Sequence, residues 1–259
     1  MLSSPPASQP RPLRDVTAAP DYFAGVSEVV LKLESAPDAA TLLELFHQAA
    51  RRIGADVAAF LSFIHDDDCE SFRFLLACDP QWCIDYEQRA WYADDPWLAY
   101  ARRHAEPVRA SEIAVGNESQ TAVVQLAEKY GFRSTVIVPA PSGGGLSRLG
   151  MLCLGSNTPN YFEDEGFPAL KVIARPFAIA LHEWCIRNVR DELVRSSRIT
   201  PADLLLLDYH SKGLGTKQIA DALGTSTTCV NSRFQRVNIK LGVLNRRSAA
   251  RLAAEYGLI

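Results

Sequence analysis

The sequence lacks any apolar run near the about 20 residues needed to span a bilayer; its longest, such as Val136 to Ala140 and Met151 to Leu154, are strand-sized. No transmembrane helix and no membrane partner are expected. The opening stretch MLSSPPASQPRPLRDVTAAP is rich in proline and small polar residues and has no continuous apolar core, so it is not a signal peptide. Residues 1–19 are expected to form a disordered tail. The six cysteines, at 69, 78, 83, 153, 185 and 229, form no CxxC pair. This spacing suggests neither a zinc site nor a disulfide framework, and the chain is expected to be cytoplasmic. The five histidines (47, 65, 104, 182, 210) and the cysteines sit in no recognisable catalytic motif. No enzyme activity, metal or cofactor is expected, and no internal repeat is apparent.

What is present is ordinary globular material: 259 residues, 47% hydrophobic and 22% charged, enough for one or two domains. The charge is unevenly spread. Residues 198–259 carry nine Lys or Arg against four acids, a balance of +5, whereas the whole chain is at −3, leaving −8 for the rest. A basic module attached to an acidic one is the pattern of a nucleic-acid-binding domain joined to a sensing or partner domain.

Apolar spacing predicts amphipathic helices over 22–36 and 39–53, then strands over 57–64 and 72–77 joined by the acidic turn His65 to Asp68. After Pro80 a helix is predicted to about Trp91, a short one after Asp95-Pro96, and another over 120–129. Strand signals return over 132–139 and 149–155, separated by Ser142 and the glycines 143–145. From Phe162 to about Val189 the pattern is helical, with Pro168 and Pro176 at its start or at a kink. The order predicts an α+β protein: an N-terminal α/β/α sandwich with an antiparallel sheet over 20–189, a polar linker at 190–198, and a C-terminal all-α four-helix domain over 199–259.

In that last segment Thr200-Pro201 is a helix start with Asp203 in its first turn. A second helix follows Gly213, and a third begins after Gly224, with Val230, Phe234, Val237 and Leu241 facing inward. Two short helices about a tight turn, the second polar and basic on its outer side, make a helix-turn-helix. The third helix offers Thr228, Asn231, Ser232, Arg233, Gln235, Arg236 and Lys240. Asn231 and Gln235 are the candidate base readers, since amides pair with adenine; Arg233, Arg236, Lys240 and Lys217 are the candidate phosphate contacts. Any one of these alone also suits a solvated helix face. The constellation is the stronger signal.

Residues 199–259 resemble the LuxR-type helix-turn-helix through Ile199-Thr200, Asp203, Leu207, Gly213, Lys217 to Ala220, Leu223-Gly224, Val230, Lys240 to Val243 and Asn245-Arg246. Asp203 stands where that family usually has Glu. The resemblance implies a homodimer bound to double-stranded DNA at an inverted repeat.

A response-regulator receiver needs a parallel sheet, which the element order above does not give; a small-molecule pocket fits better. Trp82-x3-Tyr86-x8-Asp95-Pro96 resembles the autoinducer-binding motif of quorum-sensing LuxR regulators. An acyl-homoserine lactone presents two carbonyls and an amide N–H, and Trp82, Tyr86 and ionised Asp95 supply two donors and an acceptor. By this resemblance Trp82 takes the lactone carbonyl, Tyr86 the acyl carbonyl and Asp95 the amide. The same three residues are also what a core helix face and a helix cap would carry. The chain departs from the family at Ala110, usually tryptophan, and at Thr135, usually glycine. Trp97 replaces a smaller residue, and Cys153 stands where a hydroxyl residue is common. Trp97 and Cys153 join the candidate ligand-binding residues, and the alternative is a ligand-blind N-terminal domain serving dimerisation or capture of another regulator.

Overall fold

A computed structural model of the chain describes residues 11–66, 69–142 and 148–259, the side chains from 64 to 72 excepted. The expected turn at Asp67 and Asp68, the glycines 143–145 and residues 1–10 of the expected tail lie outside the described residues. Two compact units emerge, one ending at Trp184 and the other running from Cys185 to Ile259.

In the first unit, α1 (Leu13–Thr17), α2 (Tyr22–Glu34) and α3 (Ala39–Ile53) precede the sheet. The expected tail is therefore helical in part. Leu13 is fully buried, the Arg14 amide donates to Asp164 Oδ1 at 2.7 Å and the Arg14 guanidinium pairs with the same carboxylate at 3.4 Å; these contacts anchor a segment whose composition alone reads as loop. Asp38 caps α3 by accepting from the Thr41 amide at 2.8 Å, which satisfies one of the otherwise orphaned donors of a first turn. Leu42, Phe46, Ala49 and Ile53 fall at helical spacing, and all are buried.

The strands β1 (Val57–Asp66), β2 (Cys69–Ala77), β3 (Val108–Arg109), β4 (Ser134–Pro141) and β5 (Arg148–Ser156) form one antiparallel sheet in the order β2-β1-β5-β4-β3. Two hairpins were legible in the sequence; β3 was not, because two residues carry no measurable alternation. The register pairs Ala59 with Cys153 and Cys153 with Ile137, so alternate residues sort onto two faces. Leu61, Ile137, Met151 and Cys153 face one core, together with α4 (Gln81–Gln88), α5 (Pro96–Ala101) and α6 (Glu118–Lys129). Phe60, Val138, Leu152 and Leu154 point the other way, toward α3 and α7 (Phe167–Ser197), where the rings of Phe46 and Phe177 meet at 5.8 Å. Both faces of the sheet are thus covered, as the near-continuous apolar character of β4 and β5 requires.

α7 runs to Ser197, through the segment expected as linker. Arg, Glu and Leu in that segment are good helix formers, and the helix ends only where Arg198 takes a left-handed conformation, φ 51°. The second unit adds α8 (Pro201–Ser211), α9 (Thr216–Ala222), α10 (Thr227–Leu241) and α11 (Arg246–Glu255) around a core of Leu206, Leu207, Ile219, Val230, Phe234 and Val237. Thr200 and Asp203 cap α8 reciprocally. Among the described residues no helix is long and apolar enough to cross a membrane.

One buried group makes stability depend on pH. His182 on α7 is 1% exposed, lies against Gly150, where a Cβ would come within 2.7 Å of its Nδ1, and shares a 2.8 Å hydrogen bond with Ser142. Burial, and then the charge of Arg148, push its pKa from 6.5 down to about 4. A depressed histidine binds its proton more readily in the unfolded chain, so its contribution is complete above about 6.5 and is lost as pH falls toward 4. Over that range the wild type is expected to lose on the order of 3 kcal/mol more unfolding free energy than His182→Gln. Urea titrations at pH 7.5 and 4 check this; equal losses in the two proteins would refute it.

Candidate ligand site and candidate DNA-binding helix

The Asp-Pro step at 95–96 builds the centre of the first unit. Pro96 occupies the first turn of α5, where its missing N–H costs nothing. Asp95 caps that helix, its Oδ1 accepting from the amides of Trp97 at 2.7 Å and Leu98 at 3.2 Å. Its other oxygen accepts from the Tyr86 hydroxyl at 2.7 Å. The carboxylate is only 4% exposed, so each of these donors offsets desolvation that would otherwise be prohibitive. Burial still wins: the Asp95 pKa is raised, against the pull of Tyr86, the two amides and Arg102. Burial and the neighbouring Asp95 charge raise Tyr86 well above the usual phenol range, and they do the same to the Cys153 thiol. Cys153 is therefore a protonated wall residue.

α4 holds Trp82 and Tyr86 one turn apart, with ring centroids 5.3 Å apart. Phe132 lies 5.8 Å from Trp82, and Phe74 meets both Trp82 and Tyr86 edge-on at 6.0 and 6.1 Å. Phe132 owes its place to Gly155, where a Cβ would come within 2.5 Å of the ring. Trp82, Tyr86, Asp95, Trp97 and Cys153 are all buried in one apolar cluster or within it. The structure thus brings the five ligand-site candidates together, and it also makes them core and cap. Phe74 and Phe132 were not singled out in the sequence, because an aromatic in a strand pattern gives no sign of what it will touch. Arg102, at the end of α5, was also missed; it lies over the Phe63 ring at 4.9 Å and adds positive potential near Asp95.

Beside this cluster lies a cavity of about 270 Å³, lined by Trp97, Ala110, Phe132 and Thr135 among others. Three of the positions that depart from the family pattern, Trp97, Ala110 and Thr135, therefore line one space. Among the described residues no group of three or more His, Cys, Asp or Glu is arranged to hold a metal.

In the second unit, Ser226 caps α10 by accepting from the Cys229 amide at 3.2 Å. Val230, Phe234, Val237 and Leu241 are buried, which turns Thr228, Asn231, Ser232, Gln235 and Arg236 to solvent, with Arg233 half-buried and Lys217 exposed on α9. A hydrogen bond from Thr225, then the charges of Arg233 and Arg236, lower the Cys229 pKa, a local sign of positive potential at the start of this helix. Lys240 is placed differently from the others. Its ammonium meets Asp203 at 2.6 Å, with the side chains only 31% and 15% exposed, and so ties the end of α10 to the start of α8.

The family model of the autoinducer binding domain matches residues 38–183, and that of the bacterial regulatory proteins of the luxR family matches 197–253. Among solved structures, SdiA in complex with octanoyl-rac-glycerol aligns with a TM-score of 0.71 at 16% identity, over 92% of this chain and 96% of that one. A crystal structure of Escherichia coli SdiA gives 0.69 at 16%, over 92% and 99%. CepR2 from Burkholderia cenocepacia, an N-acylhomoserine lactone dependent LuxR family transcription factor, gives 0.53 at 17%, over 63% and 95%. At these identities the likeness is one of fold. No curated protein matches the chain in sequence.

The Asp95 arrangement makes a graded prediction. Tyr86→Phe removes the donor to Oδ2 and is expected to cost about 1–3 kcal/mol. Asp95→Ala loses the α5 cap as well, worth about 1 kcal/mol more, whereas Asp95→Asn keeps a capping oxygen and should cost least. Chemical denaturation of the three variants checks the order; an Asp95→Ala protein as stable as wild type would overturn it.

Proposed function

Because the chain belongs to the LuxR family of bacterial regulatory proteins, with an autoinducer-binding domain ahead of its helix-turn-helix, we propose that it is a ligand-modulated, dimeric transcription regulator responding to an acyl-homoserine lactone or a similar small amphiphile. Regulators of this family are not enzymes. The observation that carries the ligand reading is the Tyr86–Asp95 pair: a hydroxyl and a carboxylate, both buried, 2.7 Å apart, at the edge of an aromatic cluster. An amide ligand offers Asp95 an N–H and Tyr86 a carbonyl, so both groups keep hydrogen bonds when it enters. Trp82 adds an indole donor on the same helix, while Trp97 and Cys153 close the apolar walls.

For DNA, Asn231 and Gln235 are the proposed base readers, one turn apart on the exposed side of α10, with Thr228 and Ser232 beside them. Arg233, Arg236 and Lys217 are the proposed phosphate contacts on a double-stranded, inverted-repeat operator. Lys240 is given a positioning role on account of its ion pair. A homodimer presents two such helices with the two-fold symmetry that an inverted repeat requires. The chain is proposed to work in the cytoplasm, where the DNA is. A second reading, a ligand-blind N-terminal domain used for dimerisation or for binding another regulator, is favoured by one observation: Trp97, Ala110 and Thr135 reshape the space beside the Asp95 site.

Two measurements test these proposals. Protein produced with and without N-octanoyl-homoserine lactone is extracted for bound small molecules, and its thermal midpoint and operator affinity are compared. A co-purifying lactone, with a raised midpoint and a changed affinity, is expected; no lactone, no shift and unchanged affinity would leave the ligand-blind reading. On the DNA side, Arg236→Ala is expected to reduce the slope of log affinity against log salt by about 1. Asn231→Ala should instead relax sequence preference, and Lys240→Ala should lower stability at unchanged slope. Equal slope losses in all three would contradict the assignment.

A further inference from the structure

Arg246 opens α11, the last helix of the second unit, at a place that does not favour a cation. The amides of a first turn present a positive end, which attracts acids rather than bases, yet the first turn of α11 holds no acid. The preceding residue, Asn245, caps the helix by accepting from the Ser248 amide at 2.9 Å, so the backbone that carries Arg246 is fixed. Among the described residues no carboxylate pairs with its guanidinium. Two neutral groups hold it instead: Nη1 donates to Thr216 Oγ1 at 3.1 Å, and the guanidinium carbon lies 5.0 Å from the centre of the Phe234 ring. A planar guanidinium can stack on a ring and donate from its edge at the same time, and it sheds water more readily than an ammonium. The side chain is half-buried in this position.

Its two partners belong to the two halves of the helix-turn-helix. Thr216 is the first residue of α9, a helix of seven residues, too short to be stable by itself, and it precedes Lys217, a proposed phosphate contact. Phe234 is 3% exposed on α10 and lies between Asn231 and Gln235, the proposed base readers. The same ring meets His210 of α8 edge-on at 5.5 Å. Burial, and then the charge of Arg246, lower the His210 pKa, so at neutral pH the imidazole is uncharged and does not repel the guanidinium. One side chain on α11 thus touches α9 and α10 directly, and reaches α8 through the Phe234 ring.

We infer that Arg246 is a positioning residue: by bridging Thr216 and Phe234 it fixes the placement of α10 against α9, and with it the approach of Asn231 and Gln235 to base edges, without itself touching DNA. This rests on the DNA reading proposed above and adds to it the group that holds the readers in place.

The test uses the full chain and two duplexes, one selected by the wild type from a random-sequence pool and an unselected one of the same length. Arg246→Gln and Thr216→Val are each expected to bind the selected duplex about tenfold more weakly, with the unselected duplex and the salt slope unchanged. Because both break one bond, the double variant should be no worse than Arg246→Gln alone. Arg246→Lys keeps the charge but not the planar fork and should resemble Arg246→Gln; Thr216→Val serves if neither Arg246 variant folds. Rescue by lysine, or a salt slope reduced by about 1 in Arg246→Gln, would mark a phosphate contact and overturn the inference, as would unchanged binding of the selected duplex. Amide hydrogen exchange gives a readout that needs no DNA. Faster exchange at Ile219 and Ala220 of α9 is expected in Arg246→Gln and Thr216→Val, with Leu206 and Leu207 of α8 unchanged; no acceleration, or an equal one in both helices, would overturn the bridge. A wild type that selects no sequence removes the operator reading and with it the role of the readers, while the exchange pattern still decides whether Arg246 holds α9.

Discussion

A carboxylate with 4% of its surface exposed survives in a protein core only if donors surround it, and Asp95 has three: two amides at the start of α5 and the Tyr86 hydroxyl. Through these bonds one side chain caps the first turn of α5, ties it to Tyr86 on α4, and holds the amide of Trp97. Trp97 in turn forms part of the wall between the aromatic cluster and the neighbouring cavity. The arrangement is costly, since burial raises the Asp95 pKa despite every donor. A core built for stability alone would have an apolar residue and a serine cap here. Retaining a charged acceptor and a phenol in a water-poor site is the physical basis for reading it as a place where an amide ligand is recognised.

The second unit uses an ion pair for a related purpose. Asp203 caps α8 in reciprocal bonds with Thr200 while also receiving Lys240 from the end of α10. Burial raises the Asp203 pKa, but the bonds from Lys240 and Thr200 outweigh it and hold the carboxyl below its usual range. At neutral pH the pair therefore stays ionised and fixes one end of the proposed recognition helix. The other end is fixed by Ser226. Between these two anchors Val230, Phe234 and Val237 clamp the inner side, so the exposed amides and guanidinium groups project from a rigid support. Rigidity matters because a base contact is geometric: a reader that must first be ordered loses part of its binding free energy to that ordering.

Each helix with a clear 3.6-residue apolar period, and each hairpin with a clear change of period, was legible from residues alone. α3 is an example, since Leu42, Phe46 and Ala49 recur at helical spacing, whereas its cap by Asp38 emerged only in the structure. The short β3 and the helical continuation of α7 through Ser197 were not, the first because two residues carry no pattern, the second because a polar helix and a polar linker share a composition. The helix at Leu13–Thr17 was hidden for a related reason: besides buried Leu13, it is held by bonds from Arg14 to Asp164, 150 positions away.

For the candidate site, the sequence by itself determined which chemistry is available: an indole and a phenol one helical turn apart, an acid set to cap the next helix, and a polar face on α10. Those are consequences of residue type and short-range spacing, which a chain carries with it before folding. Only the tertiary structure decided that Tyr86 donates to Asp95, that Phe74 and Phe132 complete the aromatic cluster, that Lys240 is committed to Asp203, and that Ala110 and Thr135 line one cavity. These are contacts between residues far apart in sequence, settled by sheet register and helix packing, and local pattern contains no information about the distance between two surfaces that meet only after the core has closed.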